Sequence, residues 1–343
     1  MGMRRRAVLS GVLILGLALT LTLVFPGGFN KAIGESQKPA GVKPVLSVGY
    51  LPITHSLPLV VADKLDRAAY RNFSLELVPF SSWPELTEAL NGGKIQAAIT
   101  MFELAIVSQK RGVPIQVLAL SHTNGDALVV AKRIAKLEDL KGKTVAIPHR
   151  LSGHNILLYK ALKDKGINYD EVGKLEMAPP DMPAALARGE VAGYIVAEPF
   201  GSQAVVGGQG KVLLRAQEIW PDWICCGLVI NERFAERNGA ALQELINSLV
   251  KAGKFIQKNH REAIKIAQQY MKIKPELWEL SLGWIDYGDL TPKLEEFNRL
   301  QNYLLELPWN GRRGVLLGSK VDIHKLVNPV YVEKAYQAYQ KVK

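Results

Sequence analysis

Short apolar runs alternate with helix-forming segments that end on glycine, and the alternation repeats within the chain. Residues 89–99 (ALNGGKIQAAI) align without a gap to residues 185–195 (ALARGEVAGYI). In each, a helix is expected to run into glycine and give way to an apolar strand, because glycine accepts the left-handed backbone that closes a helix. The echo has two readings, the ordinary grammar of a helix–strand connection or a pseudo-symmetry between two halves. Around the first copy, strands are expected at 45–48, 73–78, 95–100 and 115–120. Helices are expected from Ser82, whose SWPE sequence has capping-box spacing, and over 102–111, closed by Gly112. Around the second copy, strands are expected at 144–147, 175–178, 191–196, 212–214 and 224–230, with helices opening at Ser152, Asp181 and Glu198. Amphipathic helices are then expected from about residue 240 to 305 and cover the first unit. Alternating strands and helices predict α/β sheets, and 343 residues suit two such domains.

The N-terminus constrains location. Arg4, Arg5 and Arg6 precede residues 7–25, which carry no charge, and Pro26, Gly27 and Gly28 break the run. A charged start followed by an apolar run predicts export. Residues 1–34 are read as a signal peptide, with Ala32 and Gly34 placed for a cut before Glu35, or as a retained N-terminal anchor, since roughly 17–25 apolar residues can span a bilayer. Arg5-Arg6 also loosely resembles a twin-arginine signal, and no cysteine closes the run to carry a lipid. The net charge of +11 falls to +7 once residues 1–34, which hold four basic residues and no acid, are set aside. The remaining basic residues are scattered among acids, the pattern of a solvated surface, so nucleic-acid binding is not expected. The two cysteines, Cys225 and Cys226, are adjacent; neighbours in a strand point to opposite faces, which argues against a disulfide between them.

Four segments carry a family resemblance: GYLP at 49–52, LKGKTVA at 140–146, PDMPAAL at 180–186 and YIVAEPF at 194–200. In this order and spacing, from about residue 45 to 270, the chain resembles the nitrate, sulfonate, taurine and bicarbonate binding-protein family of ABC importers. The resemblance implies a type II periplasmic-binding-protein fold of the α/β class: two doubly wound lobes with a hinge and a central cleft. The implied division is residues 45–127 with 231–343 in lobe 1 and 128–230 in lobe 2. A fungal enzyme that makes the thiamine pyrimidine belongs to the same superfamily and is marked by a cysteine-rich run. Cys225-Cys226-Gly227-Leu228 lies at the comparable place with only two of the cysteines.

Ligands of open α/β sheets bind beyond the carboxyl ends of strands, where helix N-termini present free amides. The loops so placed are 50–57, 80–83, 100–103, 121–125, 148–155, 179–181 and 197–200. From them the expected ligand contacts are Tyr50, Thr54, His55, Trp83, Met101, His122, His149, Ser152, His154, Asn155, Asp181 and Glu198. Tyr50 and Trp83 read either as apolar walls or as core. Ser152 reads as an anion-binding helix start or as a simple N-cap. Glu198, like Glu103, reads as a partner for a cationic or amide-bearing solute or as dipole compensation. The histidines could donate to an anion or hold a metal, but His149 and His154 are five apart and do not share a helix face, so no metal ligand set is assigned.

No G-x-S-x-G, H-E-x-x-H, P-loop or zinc-type cysteine pattern occurs, so catalysis is not expected. The reading is an exported solute-binding subunit of an ABC importer, periplasmic or tethered to the outer face of the cytoplasmic membrane. It would capture a small organic or inorganic anion by hinge closure. It is expected to work as a monomer, without a cofactor, with permease and ATPase subunits as partners. The alternative is a binder of a thiamine-precursor pyrimidine or a pyrimidine-synthase-like enzyme.

Overall fold

The computed structural model describes residues 43–341; the expected signal peptide or anchor at 1–34 lies outside them. The strands, in chain order, are β1 (Val45–Tyr50), β2 (Ser74–Pro79), β3 (Ala97–Met101), β4 (Ile115–Leu120), β5 (Thr123–Asn124), β6 (Asp126–Ala131), β7 (Thr144–Ile147), β8 (Gly173–Glu176), β9 (Gly193–Ala197), β10 (Gly210–Arg215), β11 (Cys226–Asn231) and β12 (Ile285–Asp286). They form two five-stranded sheets, ordered β2-β1-β3-β11-β4 and β10-β6-β9-β7-β8, and a small β12-β5 ribbon. The β1, β3, β6 and β9 strands read as nearly continuous apolar runs and are buried almost end to end, as expected of strands covered on both faces.

Reversing the second order gives β8-β7-β9-β6-β10, which matches the first strand for strand. The internal echo falls on this match: β3 and β9 start at aligned positions, Ala97 and Gly193, and they pair in parallel with the matching strands β1 and β7. Each preceding helix, Trp83–Asn91 or Met182–Arg188, is followed by a left-handed glycine, Gly93 at φ 71° or Gly189 at φ 75°. Pseudo-symmetry, rather than local grammar alone, therefore underlies the repeat. In both sheets the fourth position is taken by an antiparallel strand that has just crossed from the other sheet, β11 beside β3 and β6 beside β9.

These crossover strands redraw the expected division at 127/128 and 230/231. The strand Cys226–Asn231 pairs wholly within the first sheet, and the second sheet begins at Asp126. A continuous apolar run after Gly125 had carried no strand expectation, and neither had the helix Leu57–Asp66, whose seven leading residues are buried. The two crossings lie side by side: Asn124 N–H donates to the Trp223 carbonyl (2.8 Å), Ser121 N–H donates to the Cys226 carbonyl (2.9 Å), and Thr123 bridges Ile224. Helices from Gly239–Lys258 onward return to the first sheet, the longest packing against Leu57–Asp66 and against the last helix, Val330–Lys341. No helix among the described residues is long and apolar enough to cross a membrane.

Gly189 tests the helix stop. A side chain at a left-handed position costs about 1–2 kcal/mol, so Gly189→Ala is expected to lower the urea midpoint by an amount worth about 1 kcal/mol with an unchanged slope. An unaltered midpoint would remove the conformational role.

Candidate functional site

The ends of the strands and both crossings converge on one buried polar cluster. At its centre is Asp126, the first residue of β6, paired with Ala197 across the sheet. Cys226 occupies the corresponding place in the other sheet, first in β11 and paired with Met101. The two crossovers therefore deliver a carboxylate and a thiol to the same zone. Asp126 accepts from Trp223 Nε1 at Oδ2 (2.6 Å) and from His154 Nε2 at Oδ1 (2.9 Å), and His55 Nε2 lies 3.5 Å from Oδ1. His55 comes from the segment after β1, whereas His154 lies in the first turn of Gly153–Asp164 after β7. One carboxylate thus holds side chains from both sheets. All four groups are buried.

On the other side of His55, Nδ1 lies 3.7 Å from Cys226 Sγ, which is 3.4 Å from Cys225 Sγ. Both cysteines are free thiols. The His122 ring is 3.8 Å from the His55 ring between centroids. Its Nδ1 donates to the Asn124 carbonyl (3.0 Å), which fixes the tautomer and leaves Nε2 as a bare acceptor; that atom is buried without a hydrogen-bond partner.

Burial alone would raise the Asp126 carboxyl, but His154 and His55 outweigh it and hold it below the ordinary carboxylate range. Burial lowers the His55 imidazole, yet Asp126 and Cys226 more than offset this and its pKa is raised. The Cys226 thiol is pushed up by burial, but Cys225, His122 and His55 reverse that and hold it well below its ordinary value, while burial leaves Cys225 well above. Burial and the neighbouring His55 both lower His122.

Two further acids approach the cluster, each just after the third strand of its sheet. Glu198 accepts from Ser202 N–H (2.9 Å) and from the Ser281 hydroxyl (3.2 Å), and its carbonyl accepts from the Thr54 hydroxyl (2.7 Å). Glu103 has neither carboxyl oxygen bonded, and burial raises its pKa well above the ordinary value. It abuts Gly153: a Cβ built there would lie 2.5 Å from Glu103 Oε1 and 2.6 Å from the Trp223 ring.

Of the expected contacts, Thr54, His55, Met101, His122, His154 and Glu198 are brought to this zone. Ser152 is buried and caps the His154 helix by accepting from Asn155 N–H (3.3 Å). Asn155 is spent inside its own sheet unit, donating to the Arg150 carbonyl and accepting from the Tyr169 hydroxyl. Tyr50 and Trp83 are buried in the core of the first sheet. His149 is partly exposed beside Glu176, and Asp181 is exposed. Asp126, Trp223 and the thiols were missed as site residues. The available signal was an acid immediately after Gly125 and before a strand with no other polar residue.

Glu103 gives a pH dependence of definite sign. With a folded pKa above the unfolded value, the native state keeps a proton that the unfolded chain releases, so this group's contribution falls as pH rises from about 4.5. Glu103→Gln is expected to flatten the decline in unfolding free energy between pH 5 and 8. Parallel curves for the two proteins would show that Glu103 does not titrate in this way.

A match to the NMT1-like family covers residues 40–270. The nitrate/nitrite binding protein NrtA of Nostoc sp. is 27% identical over 271 residues, 71% of this chain and 62% of that protein, so the chain spans less than two thirds of this relative. The putative aliphatic sulfonates-binding protein of Escherichia coli is 24% identical over 82% of this chain and 88% of its own length. The nitrate import ATP-binding protein NrtC of Synechocystis sp. is 26% identical over 72% of this chain and 39% of its own length. Among solved structures, the ligand binding component of an ABC-type import system from Staphylococcus aureus, with zinc bound, superposes with a TM-score of 0.77 at 31% identity, over 85% of this chain and 99% of that one. The desulfurization enzyme DszB shares the fold at a TM-score of 0.66 and 12% identity, covering 87% of this chain and 100% of that one, so the fold hosts binders and an enzyme alike. With two thirds of its length matched, the chain belongs to the NMT1-like family.

Proposed function

We propose that this chain is the solute-binding subunit of an ABC importer, working outside the cytoplasmic membrane as a monomer that delivers a small solute to a permease and its ATPase. The observation that carries this reading is the buried polar zone between two sheet units that are joined through paired crossings. Such crossings can act as a hinge, because a few loop residues absorb the backbone change while each sheet moves as a body. Residues 45–127 with 231–343, and 128–230, adjusted by the two crossover strands, are the lobes. The named relatives support a binding role, and the match to the NrtC ATP-binding protein supports the kind of partner.

The two units are in contact across this zone. Thr54 of the first unit is bonded to the Glu198 carbonyl of the second, and His55 reaches both Gly125 and Asp126. An anionic solute such as those in the relatives' names would meet histidines and helix amides, since no lysine or arginine is buried among the described residues. Outside this zone, a groove of about 780 Å³ lined by Pro52, Pro180, Phe200 and Leu277 runs between the first unit, the second unit and the C-terminal helices.

Ligand linkage supplies the test. A solute at a hundredfold excess over its Kd stabilises by about 2.7 kcal/mol, so the right compound should raise Tm and reduce the radius of gyration in small-angle scattering. Gly153→Val places a branched side chain against Glu103 and Trp223 and should keep the circular dichroism spectrum while losing most of both responses. A screen of nitrate, bicarbonate, sulfonates, taurine and pyrimidines that shifts neither quantity would sink the proposal.

A further inference from the structure

We propose that His55, His122, Cys225 and Cys226 form a four-ligand site for a soft divalent ion of the Zn²⁺ class. One donor atom from each lies within 4.8 Å of the others, and all four residues are buried. A tetrahedral zinc ion with Zn–S of about 2.3 Å and Zn–N of about 2.0–2.1 Å separates its ligand atoms by about 3.3–3.8 Å. The Cys225–Cys226 sulfur separation is 3.4 Å and the Cys226 Sγ to His55 Nδ1 separation is 3.7 Å. These spacings suit an ion between the donors. The sulfurs are also well beyond the roughly 2.0 Å of a disulfide bond.

The nitrogen chemistry agrees. His122 donates from Nδ1 to the Asn124 carbonyl, which leaves the buried Nε2 lone pair without a hydrogen-bond partner, a costly arrangement that a bound cation would relieve. His55 turns Nδ1 toward the thiols and Nε2 toward Asp126 Oδ1 (3.5 Å) and the Gly125 carbonyl (3.3 Å). This is the carboxylate–histidine arrangement that orients metal-bound imidazoles. A second grouping, Asp126, His154 and Cys225, is also close enough to share an ion. It is the weaker one, because Asp126 already accepts from Trp223 and His154. Asp126 and His154 therefore act as positioning residues behind His55.

The ligands come from the segment after β1 (His55), from the start of the first crossing after β4 (His122), from the end of the second crossing (Cys225) and from the first residue of β11 (Cys226). An ion would thus tie the first sheet to the hinge, while Asp126, from the second sheet, would hold His55 in its ligating orientation. Mixed sulfur and nitrogen donors favour zinc-like ions over magnesium or calcium, which prefer oxygen. The ion site stands on these four side chains, and it rests on the proposed function only in making closure the step that completes it.

The experiment uses the purified full chain, reduced and stripped with a chelator, then titrated with Co²⁺ and Zn²⁺. One equivalent of Co²⁺ should produce thiolate-to-cobalt charge transfer and the intense visible d–d bands of a tetrahedral centre, and Zn²⁺ should displace it. X-ray absorption of the zinc form should fit two sulfurs and two nitrogens. Cys225→Ser/Cys226→Ser and His122→Gln should each lose at least tenfold in Zn²⁺ affinity, and the wild-type absorption spectrum stands even where a variant fails to fold. Octahedral cobalt bands, affinity unchanged in the folded double-serine variant, or thiol counting that finds the pair oxidised in the freshly isolated protein would overturn the site. A chain that compacts on an anion but holds no metal overturns the metal site alone. Tetrahedral metal binding without compaction on any solute supports the site and counts against the importer reading.

Discussion

The carboxylate of Asp126 sits in the interior with its charge kept, and much of the architecture follows from what that requires. A buried charge without partners is costly by several kcal/mol, and removing one partner of a buried ion pair typically costs about 3–5 kcal/mol. Here the partners come from three places: Trp223 in the second crossing, His154 in the second sheet unit and His55 in the first. No one sheet unit supplies the whole set. Separating the two sheets would withdraw His55 and admit water, so the electrostatics of one residue are coupled to how the two sheets are placed. This gives a physical content to closure, since the closed arrangement is the one in which the charge is matched by protein rather than by solvent.

Topology explains why that residue lies where it does. In each sheet the antiparallel strand arrives from the other sheet, and its first residue sits at the open end beside the last residue of the third strand. Asp126 opposite Ala197 and Cys226 opposite Met101 are the two instances. Residues at these positions belong at once to a sheet, to a crossing and to the cleft. A polar side chain there is held by sheet backbone on one side and adjoins a crossing between the sheets on the other.

This geometry also marks how far the chain could be read in advance. The α/β class, most strands, the Ser82 and Ser152 caps and the glycine stops were legible because each depends on a few adjacent residues. The repeat at 89–99 and 185–195 even contained the sheet symmetry, since its aligned positions Ala97 and Gly193 are the starts of matching strands. Half of the expected contacts converge for the same reason, because the loop after a parallel strand faces the cleft whatever its sequence. The rest depended on facts that no local pattern carries. His149 and His154 sit on the same loop–helix segment, yet one turns toward Glu176 at the surface and the other toward Asp126 inside. The adjacent thiols, expected to diverge as strand neighbours do, approach because Cys225 still belongs to the crossing and only Cys226 to β11.

The symmetry is broken at the two glutamates, and the break is informative. Glu103 and Glu198 follow corresponding strands, β3 and β9, and burial raises the pKa of both. Glu198 is tied into the scaffold: Ser202 N–H and the Ser281 hydroxyl both donate to its Oε2, and its carbonyl accepts from Thr54. Glu103 has none of this, and its two oxygens lie enclosed against Gly153 and Trp223 without a bond. The two positions are not equivalent: at the spacing of the repeat Glu103 matches Pro199, and Glu103 lies in the first turn of Phe102–Lys110 whereas Glu198 precedes the helix that starts at Phe200. A neutral carboxyl can donate one hydrogen bond and accept another, which is the form that burial favours for Glu103.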